Sequence, residues 1–219
     1  LALLGMAASA PGVAADSQTT APVQVGVYYF PGWSKNLPEA VYPDPWVPIA
    51  KYPDRIPLIG RYDNNSPSVM RQQLDQMNEG HIAFVVFNLA NGVDRLPQAL
   101  YAYMAVAKST DPKFTMLWDN HDQHIASQQD WDNLITTWVA RYMTDSRYLR
   151  VNGQPVVIVF SPKNLDVRAA TFGSDAAALL SRAQTIAHRF GLPGIAFVAG
   201  SGPQHDLITK TAKAEGYAA

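Results

Sequence analysis

The chain of 219 residues contains no cysteine. Disulfides, thiolate nucleophiles and cysteine-based zinc sites are excluded together. Glutamate is almost as scarce: of 18 acidic residues only Glu39, Glu79 and Glu215 are glutamates, so any mechanism needing a glutamate pair draws on these. Net charge is missing too, with 17 basic residues against 18 acidic ones. There is no basic field to hold nucleic acid and no acidic tail, which argues against a nucleic-acid partner. The chain also lacks an apolar run long enough to span a bilayer once its opening residues are removed. That opening, Leu1 to Ala8, leads through Ala8-Ser9-Ala10 to Val13-Ala14-Ala15-Asp16. Small residues at this spacing are what a signal peptidase reads, and Pro11 disfavours a cut after Ala10, so cleavage is expected after Ala15. Residues 1–15 are therefore read as part of a signal peptide without its basic region, residues 16–24 as a linker, and the protein as secreted or periplasmic. A buried N-terminal helix is the competing reading of the opening.

What is present is one design used repeatedly. Val25 to Phe30 is β-branched and aromatic, and it breaks at Pro31-Gly32-Trp33. A buried strand that empties into a loop looks like this. Similar strands are expected at Ile82 to Leu89, Lys113 to Trp118, Pro155 to Phe160 and Gly194 to Ala199, each ending in polar or aromatic residues. Between them lie helical patterns: one capped by Ser66-Pro67 and stopped at Gly80, one over Leu96 to Lys108, one opened by Ser127 with Asp130 three residues on, one over Asp175 to Phe190, and one over Gln204 to Ala214. The segment after Trp33 holds so many prolines that no regular helix fits there; Ile56 to Gly60 is expected to add a short extended piece, and Asn152-Gly153 a turn. Five strands alternating with helices, all parallel, predict an α/β fold of the (β/α)8 TIM-barrel type, with about the first five βα units present and Gly216 to Ala219 leading into a sixth strand. The rival, a doubly wound sheet, would offer a glycine-rich phosphate turn where Pro31-Gly32-Trp33 stands. Residues 25–219 are thus the N-terminal part of a barrel domain, and the five units alone, with open sheet edges, are expected to be poorly stable or inactive.

Several of these stretches resemble the glycoside hydrolase family 99-like domains: Val25 to Trp33, Arg55-Ile56-Pro57-Leu58-Ile59-Gly60-Arg61-Tyr62-Asp63, Lys113 to His121, the helix with Trp131 and Trp138, Gln154-Pro155-Val156-Val157, and Glu215-Gly216-Tyr217-Ala218-Ala219. The order of these motifs over residues 25–219 carries the resemblance. It implies a (β/α)8 barrel acting on glycans, in a family with an endo-α-mannosidase and endo-mannanase branch and a lipopolysaccharide-biosynthesis or glycosyltransferase-like branch. The mannosidase branch carries its catalytic glutamates late in the barrel, past the region matched here, and none of Glu39, Glu79 and Glu215 sits in such a motif. Ala90-Asn91-Gly92 departs from the aromatic loop that relatives carry after the second strand.

The candidate sites lie at strand ends, where parallel α/β barrels keep their chemistry. Tyr28, Tyr29 and Trp33 are candidates for a sugar-stacking wall, because the C–H faces of pyranoses pack on aromatic rings; core packing is the alternative. Trp118, Asp119, Asn120 and His121 crowd one strand end, offering hydroxyl recognition or proton transfer against a role in loop capping. Asp63 and Asn88 are candidate substrate contacts, or else satisfy their own loops. Glu39 and Asp119 are the candidate acids, while Glu79 beside Gly80 is expected to be solvated. His121 and His124, with Asp122 nearby, lack a convincing third ligand, so no metal and no cofactor is expected. Gly200-Ser201-Gly202 can cradle an anion or simply turn. The partner expected is an oligo- or polysaccharide, met by a glycoside hydrolase of endo-α-mannosidase type, a non-hydrolytic carbohydrate-binding protein, or a glycosyltransferase-like protein, for which no strong diphosphate motif is present.

Overall fold

The computed structural model describes residues 23–34, 44–90, 98–121, 125–200 and 215–218. The expected signal peptide, most of the linker, Glu39, Asn91-Gly92, Asp122, His124, Ser201-Gly202 and the helix at Gln204 to Ala214 lie outside them.

β1 is Gly26–Tyr29, β2 Phe84–Ala90, β3 Lys113–Asp119, β4 Arg150–Val151, β5 Gln154–Val159 and β6 Ala196–Ala199. Five of them form a parallel sheet in the order β1-β2-β3-β5-β6. Each strand lies beside the next in chain order, always on the same side. A doubly wound sheet reverses direction at a switch point, and this one does not, so the winding is that of a TIM-type barrel. The Ala218 amide donates to the Phe197 carbonyl at 2.7 Å, which is the expected lead into a further strand beside β6. The five expected strands are all parallel. A further short strand, β4, not expected from the sequence, pairs with β5 antiparallel through the expected turn, where Asn152 (φ 51°) and Gly153 (φ 80°) both take left-handed conformations.

The helices are α1 (Pro67–Glu79), α2 (Gln98–Val106), α3 (Gln128–Trp138), α4 (Pro162–Ala170) and α5 (Ala176–Arg189). The cap at Ser127 follows the sequence, whereas Ser66 stands at the N-cap of α1 without a side-chain capping bond. Ser127 Oγ accepts from the Asp130 amide, and Asp130 Oδ2 in turn accepts from Ser127 Oγ and the Ala126 amide. Asp175 accepts from the Ala178 amide at 2.7 Å. The stripe Trp131, Leu134, Ile135, Trp138 and Tyr142 is buried, and the helix runs on past Trp138 as a π-helical turn, Val139–Met143. α4 was not foreseen, although Ser161-Pro162 repeats the N-cap and first-turn proline of Ser66-Pro67. Ile56 to Gly60 is not extended: a single 3-10 turn, Pro53–Arg55, is followed by a turn closed from the Gly60 amide to the Pro57 carbonyl.

Side-chain parity divides the sheet. Tyr29, Val85, Phe87, Leu89, Phe114, Met116, Trp118, Val157, Val159 and Phe197 join Leu100, Tyr103, Trp131, Leu179 and Leu180 in one core on the helix side. Val86, Leu117, Val156 and Ala196 are buried as well but stand outside that core, on the opposite face. The continuous apolar run of β2 is thus used on both faces, as a parallel sheet requires.

The end of α1 yields a first prediction. Gly80 closes the helix with an ordinary φ of −80°, and the left-handed residue is His81, at 55°. His81 N–H bonds the Asn78 carbonyl and Ile82 N–H the Met77 carbonyl, a Schellman closure with histidine where glycine belongs. His81 is exposed. Replacing it with glycine relieves the steric cost of left-handed backbone, partly offset by greater freedom of the unfolded chain. His81→Gly is expected to stabilise the fold by about 0.5–1 kcal/mol, read as a higher thermal midpoint; a lower midpoint would contradict it.

Candidate functional site

The strand ends of β1, β2, β3 and β5 carry the candidate residues, and parity decides which face each one serves. Tyr28 is 70% exposed on the face away from the helices. On that same face, by the pairings Asn88↔Leu117, Ala90↔Asp119 and Leu117↔Ile158, stand Asn88, Leu117, Asp119 and Ile158. Phe160, exposed, continues the row after β5. Asp119 Oδ1 and His121 Nδ1 are in hydrogen-bond contact, and the His121 ring lies 4.5 Å from the ring of Phe160. Asn88 Oδ1 is buried and has no hydrogen-bond partner among the described residues. A buried carboxamide oxygen left open is costly, and it is a natural acceptor for a ligand hydroxyl.

Tyr29 and Trp118 both face the helix-side core, 9% and 5% exposed. Trp118 packs against Trp131 and Trp138 at 5.8 and 5.6 Å. The Tyr29 hydroxyl donates to Gln73 Oε1 and accepts from Asn64 Nδ2, both at 2.8 Å, and burial pushes its pKa up to about 12. Tyr29 therefore works as a post for the loop above it. Asn64, overlooked in the sequence, is the hub: its Oδ1 accepts from the Trp33 amide at 2.6 Å, and its own amide donates to the Trp33 carbonyl. Trp33 is half-buried and rests on Trp46, with ring centroids 4.5 Å apart. Trp46 is fully buried, gives its indole N–H to the Tyr62 carbonyl and meets the Tyr62 ring edge-on. Among the described residues after β1, Trp33, Trp46 and Tyr62 thus form an aromatic stack, with Trp33 and Tyr62 half-buried.

Asn120 and Asp63 both have partners within the fold. Asn120 is 7% exposed; its Nδ2 donates to the Ser161 carbonyl at 2.7 Å and its Oδ1 accepts from the Ser161 amide at 2.9 Å. It ties the end of β3 to the end of β5 through both of its polar atoms. Asp63 accepts from the Asn65 amide and acts as the turn former that leads into α1. Glu79 is exposed, as expected. Burial, reinforced by the carboxyl of Asp166, raises the pKa of Glu215. Gly200 has a reason of its own: a Cβ there would meet the Val159 and Phe160 carbonyl oxygens at 2.6 and 2.7 Å. Among the described residues no group of three or more histidine, aspartate or glutamate side chains is placed to hold a metal ion, and no helix is long and apolar enough to cross a membrane.

A cleft of about 100 Å3 opens between the β3 end and α4. Trp118, Ile125, Leu165 and Val167 form its apolar side; Asn120, His121, Asn164 and Arg168 form its polar side. Arg168 and Phe160 were not singled out in the sequence. Phe160 had a readable signal, an aromatic at the mouth of a strand; Arg168 had none, because the helix that carries it was not foreseen.

Comparison with known proteins fits this geometry. No curated protein matches the chain. Among solved structures, the GH99 endo-alpha-mannosidase from Bacteroides thetaiotaomicron aligns with a TM-score of 0.57 at 17% identity, covering 84% of this chain and 57% of that one. A glycoside hydrolase-like protein aligns at 0.55 and 13% identity, covering 88% and 57%. The same mannosidase in complex with BIS-TRIS-propane aligns at 0.54 and 15% identity, covering 80% and 52%. At such identities the likeness concerns the fold, and the chain spans little more than half the length of these structures. The model of one sequence family matches residues 50–216. The chain belongs to that family, described as Glycosyltransferase WbsX, and its TIM-barrel-type fold is similar to that of the GH99 endo-alpha-mannosidase.

Proposed function

We propose that the strand ends bind a glycan and that the whole protein cleaves it, as a glycoside hydrolase with endo-α-mannosidase-like specificity. The observation that carries this reading is the common face of Tyr28, Asn88, Asp119 and Phe160, with His121 held between Asp119 and Phe160. An exposed ring, an open buried acceptor and an oriented carboxylate–imidazole pair suit a ligand that presents apolar C–H faces beside hydroxyls. With Nδ1 tied to Asp119, His121 meets a sugar through Nε2, as a hydroxyl partner or a proton carrier. Glycosidic hydrolysis needs two carboxyl groups across the bond. Asp119 is the carboxylate this face supplies, and the second is proposed to come from the part of the barrel that the aligned mannosidase has beyond its match to this chain.

A second reading, transfer from an activated sugar, is favoured by the family description. Against it stands the turn after β1, Pro31-Gly32-Trp33, which carries no glycine-rich phosphate cradle. The full-length protein incubated with α-mannan oligosaccharides separates the two: hydrolysis releases shorter sugars without a donor, whereas transfer requires a sugar nucleotide and lengthens an acceptor. His121→Ala is expected to lower turnover about 100-fold, the low end for loss of an acid–base group, and Tyr28→Ala to weaken binding about tenfold, one ring contact. Unchanged turnover in the histidine variant would remove the Asp119–His121 pair from the reaction.

A further inference from the structure

The cleft between the β3 end and α4 is not explained by the binding of neutral sugar rings. Pockets that take whole small ligands run to about 300–1,000 Å3, and this one, at about 100 Å3, admits a single substituent. Its floor of Trp118, Ile125 and Leu165 is buried and apolar, while Asn120, His121, Asn164 and Arg168 supply polarity, and among the described residues no carboxylate lines the wall. Arg168 is the telling residue. Arg71, Arg147 and Arg182 each close on an aspartate, respectively Asp111, Asp145 and Asp132. Arg168 is half-buried and makes no ion pair among the described residues. The Asn164 amide is used by Ser161 Oγ, but its side-chain carboxamide has no hydrogen-bond partner among the described residues. The acid at the neighbouring strand end, Asp119, is already engaged by His121. A planar guanidinium fork and a carboxamide donor above an apolar floor match an anionic group that offers two or three oxygens.

We propose that this cleft is an anion subsite that takes the acidic substituent, carboxylate or sulfate, of one sugar in the glycan bound at the strand ends. The inference rests on the glycan reading above and adds a charge preference to it. His121 stands at the junction, its ring against Phe160 on one side and lining the cleft on the other.

Calorimetric titration of the full-length protein tests it with three probes: a mannan-type oligosaccharide bearing one glucuronate, the same compound with its carboxyl reduced to the alcohol, and the neutral compound carrying one sulfate ester instead. The glucuronate form is expected to bind about tenfold tighter than its reduced counterpart, the value of one charge-assisted contact. Arg168→Gln is expected to erase that difference while leaving affinity for the reduced compound and the thermal midpoint unchanged. Asn164→Ala, on the half-buried wall, is expected to reduce the preference in part and provides a reading if the arginine variant does not fold. A sulfate preferred over the carboxylate, with the same dependence on Arg168, supports the subsite and identifies its natural ligand as a sulfated sugar. Equal binding of acidic and reduced compounds by the wild type overturns the subsite and leaves the glycan reading intact, as does a preference that survives Arg168→Gln. Failure of every oligosaccharide to bind overturns both.

Discussion

Asp111→Ala is expected to cost the fold about 3 kcal/mol, the lower end of what breaking a buried ion pair removes. Asp111 has only 2% of its side chain exposed and accepts four hydrogen bonds: Arg71 Nη1 at 2.5 Å and Nη2 at 2.9 Å, Asn78 Nδ2 at 2.8 Å, and the Lys108 amide at 2.6 Å. It thereby clamps α1 to the turn between α2 and β3. Its loss leaves those donors without their acceptor. The lower end applies because the Arg71 side chain is 23% exposed and keeps two other partners, Asp75 and the Val106 carbonyl. The double variant with Arg71→Ala should lose less than the two single losses added together, since the second substitution removes a charge already stranded by the first. Urea unfolding with an unchanged slope reads the difference. A loss below about 1 kcal/mol would mean that the pair behaves like a surface contact.

The same carboxyl gives the fold an acid limit. Hydrogen bonding from Arg71 holds the pKa of Asp111 well below the usual carboxylate range, whereas in the unfolded chain it titrates near about 3.9. A group depressed on folding stabilises above its unfolded pKa and loses that contribution as pH falls toward its folded one. Asp145, lowered by Arg147, acts in the same direction. Thermal midpoints should therefore fall steadily from about pH 5 downward, and less steeply in Asp111→Ala.

The local features were the legible ones. The apolar run of β2, the proline after Ser66, the pairing of Ser127 with Asp130 and the stripe on α3 all follow from rules that reach no further than a few residues. Tyr28 and Tyr29 mark where that reach ends. Period two says that neighbours face opposite ways, but it does not say which of two aromatic neighbours meets the helices. That choice is settled by Gln73 and Asn64, 44 and 35 residues away. Trp118 and Asp119 pose the same ambiguity at the end of β3. α4 is hidden for a different reason: Ser161-Pro162 closes a strand and opens a helix at once, and after an apolar strand Ser-Pro reads first as a break. At the site, the sequence singled out strand ends that the fold brings to one rim, but it did not show that Tyr29, Trp118 and Asn120 take part in the packing and hydrogen bonding of the fold.

Asn120 offers the sharpest separation between those two uses. The last backbone rung between β3 and β5 is the Phe160 amide on the Trp118 carbonyl, at 3.0 Å. Beyond it the Asn120 carboxamide stands in for a peptide unit and adds two further rungs to Ser161. Ser161 caps α4 by accepting from the Asn164 amide, so the same side chain sets where α4 begins and how the wall of the cleft stands beside β3. Asn120→Ala leaves the partly buried Ser161 amide unpaired, at about 1–3 kcal/mol before water replaces some of the loss, while the Ser161 carbonyl keeps the Asn164 and Leu165 amides. An overall destabilisation of about 1–2 kcal/mol is expected, and Asn120→Asp should also lose the bond to the Ser161 carbonyl, because its carboxylate has no hydrogen to give. If Asn120 were instead a direct sugar contact, either change would weaken glycan binding at an unaltered melting temperature. The structure calls for the reverse order: thermal unfolding shifts first, and glycan affinity follows only as far as α4 and His121 lose their place. An Asn120→Ala protein that melts like the wild type yet no longer holds its glycan would return this residue from the scaffold to the ligand.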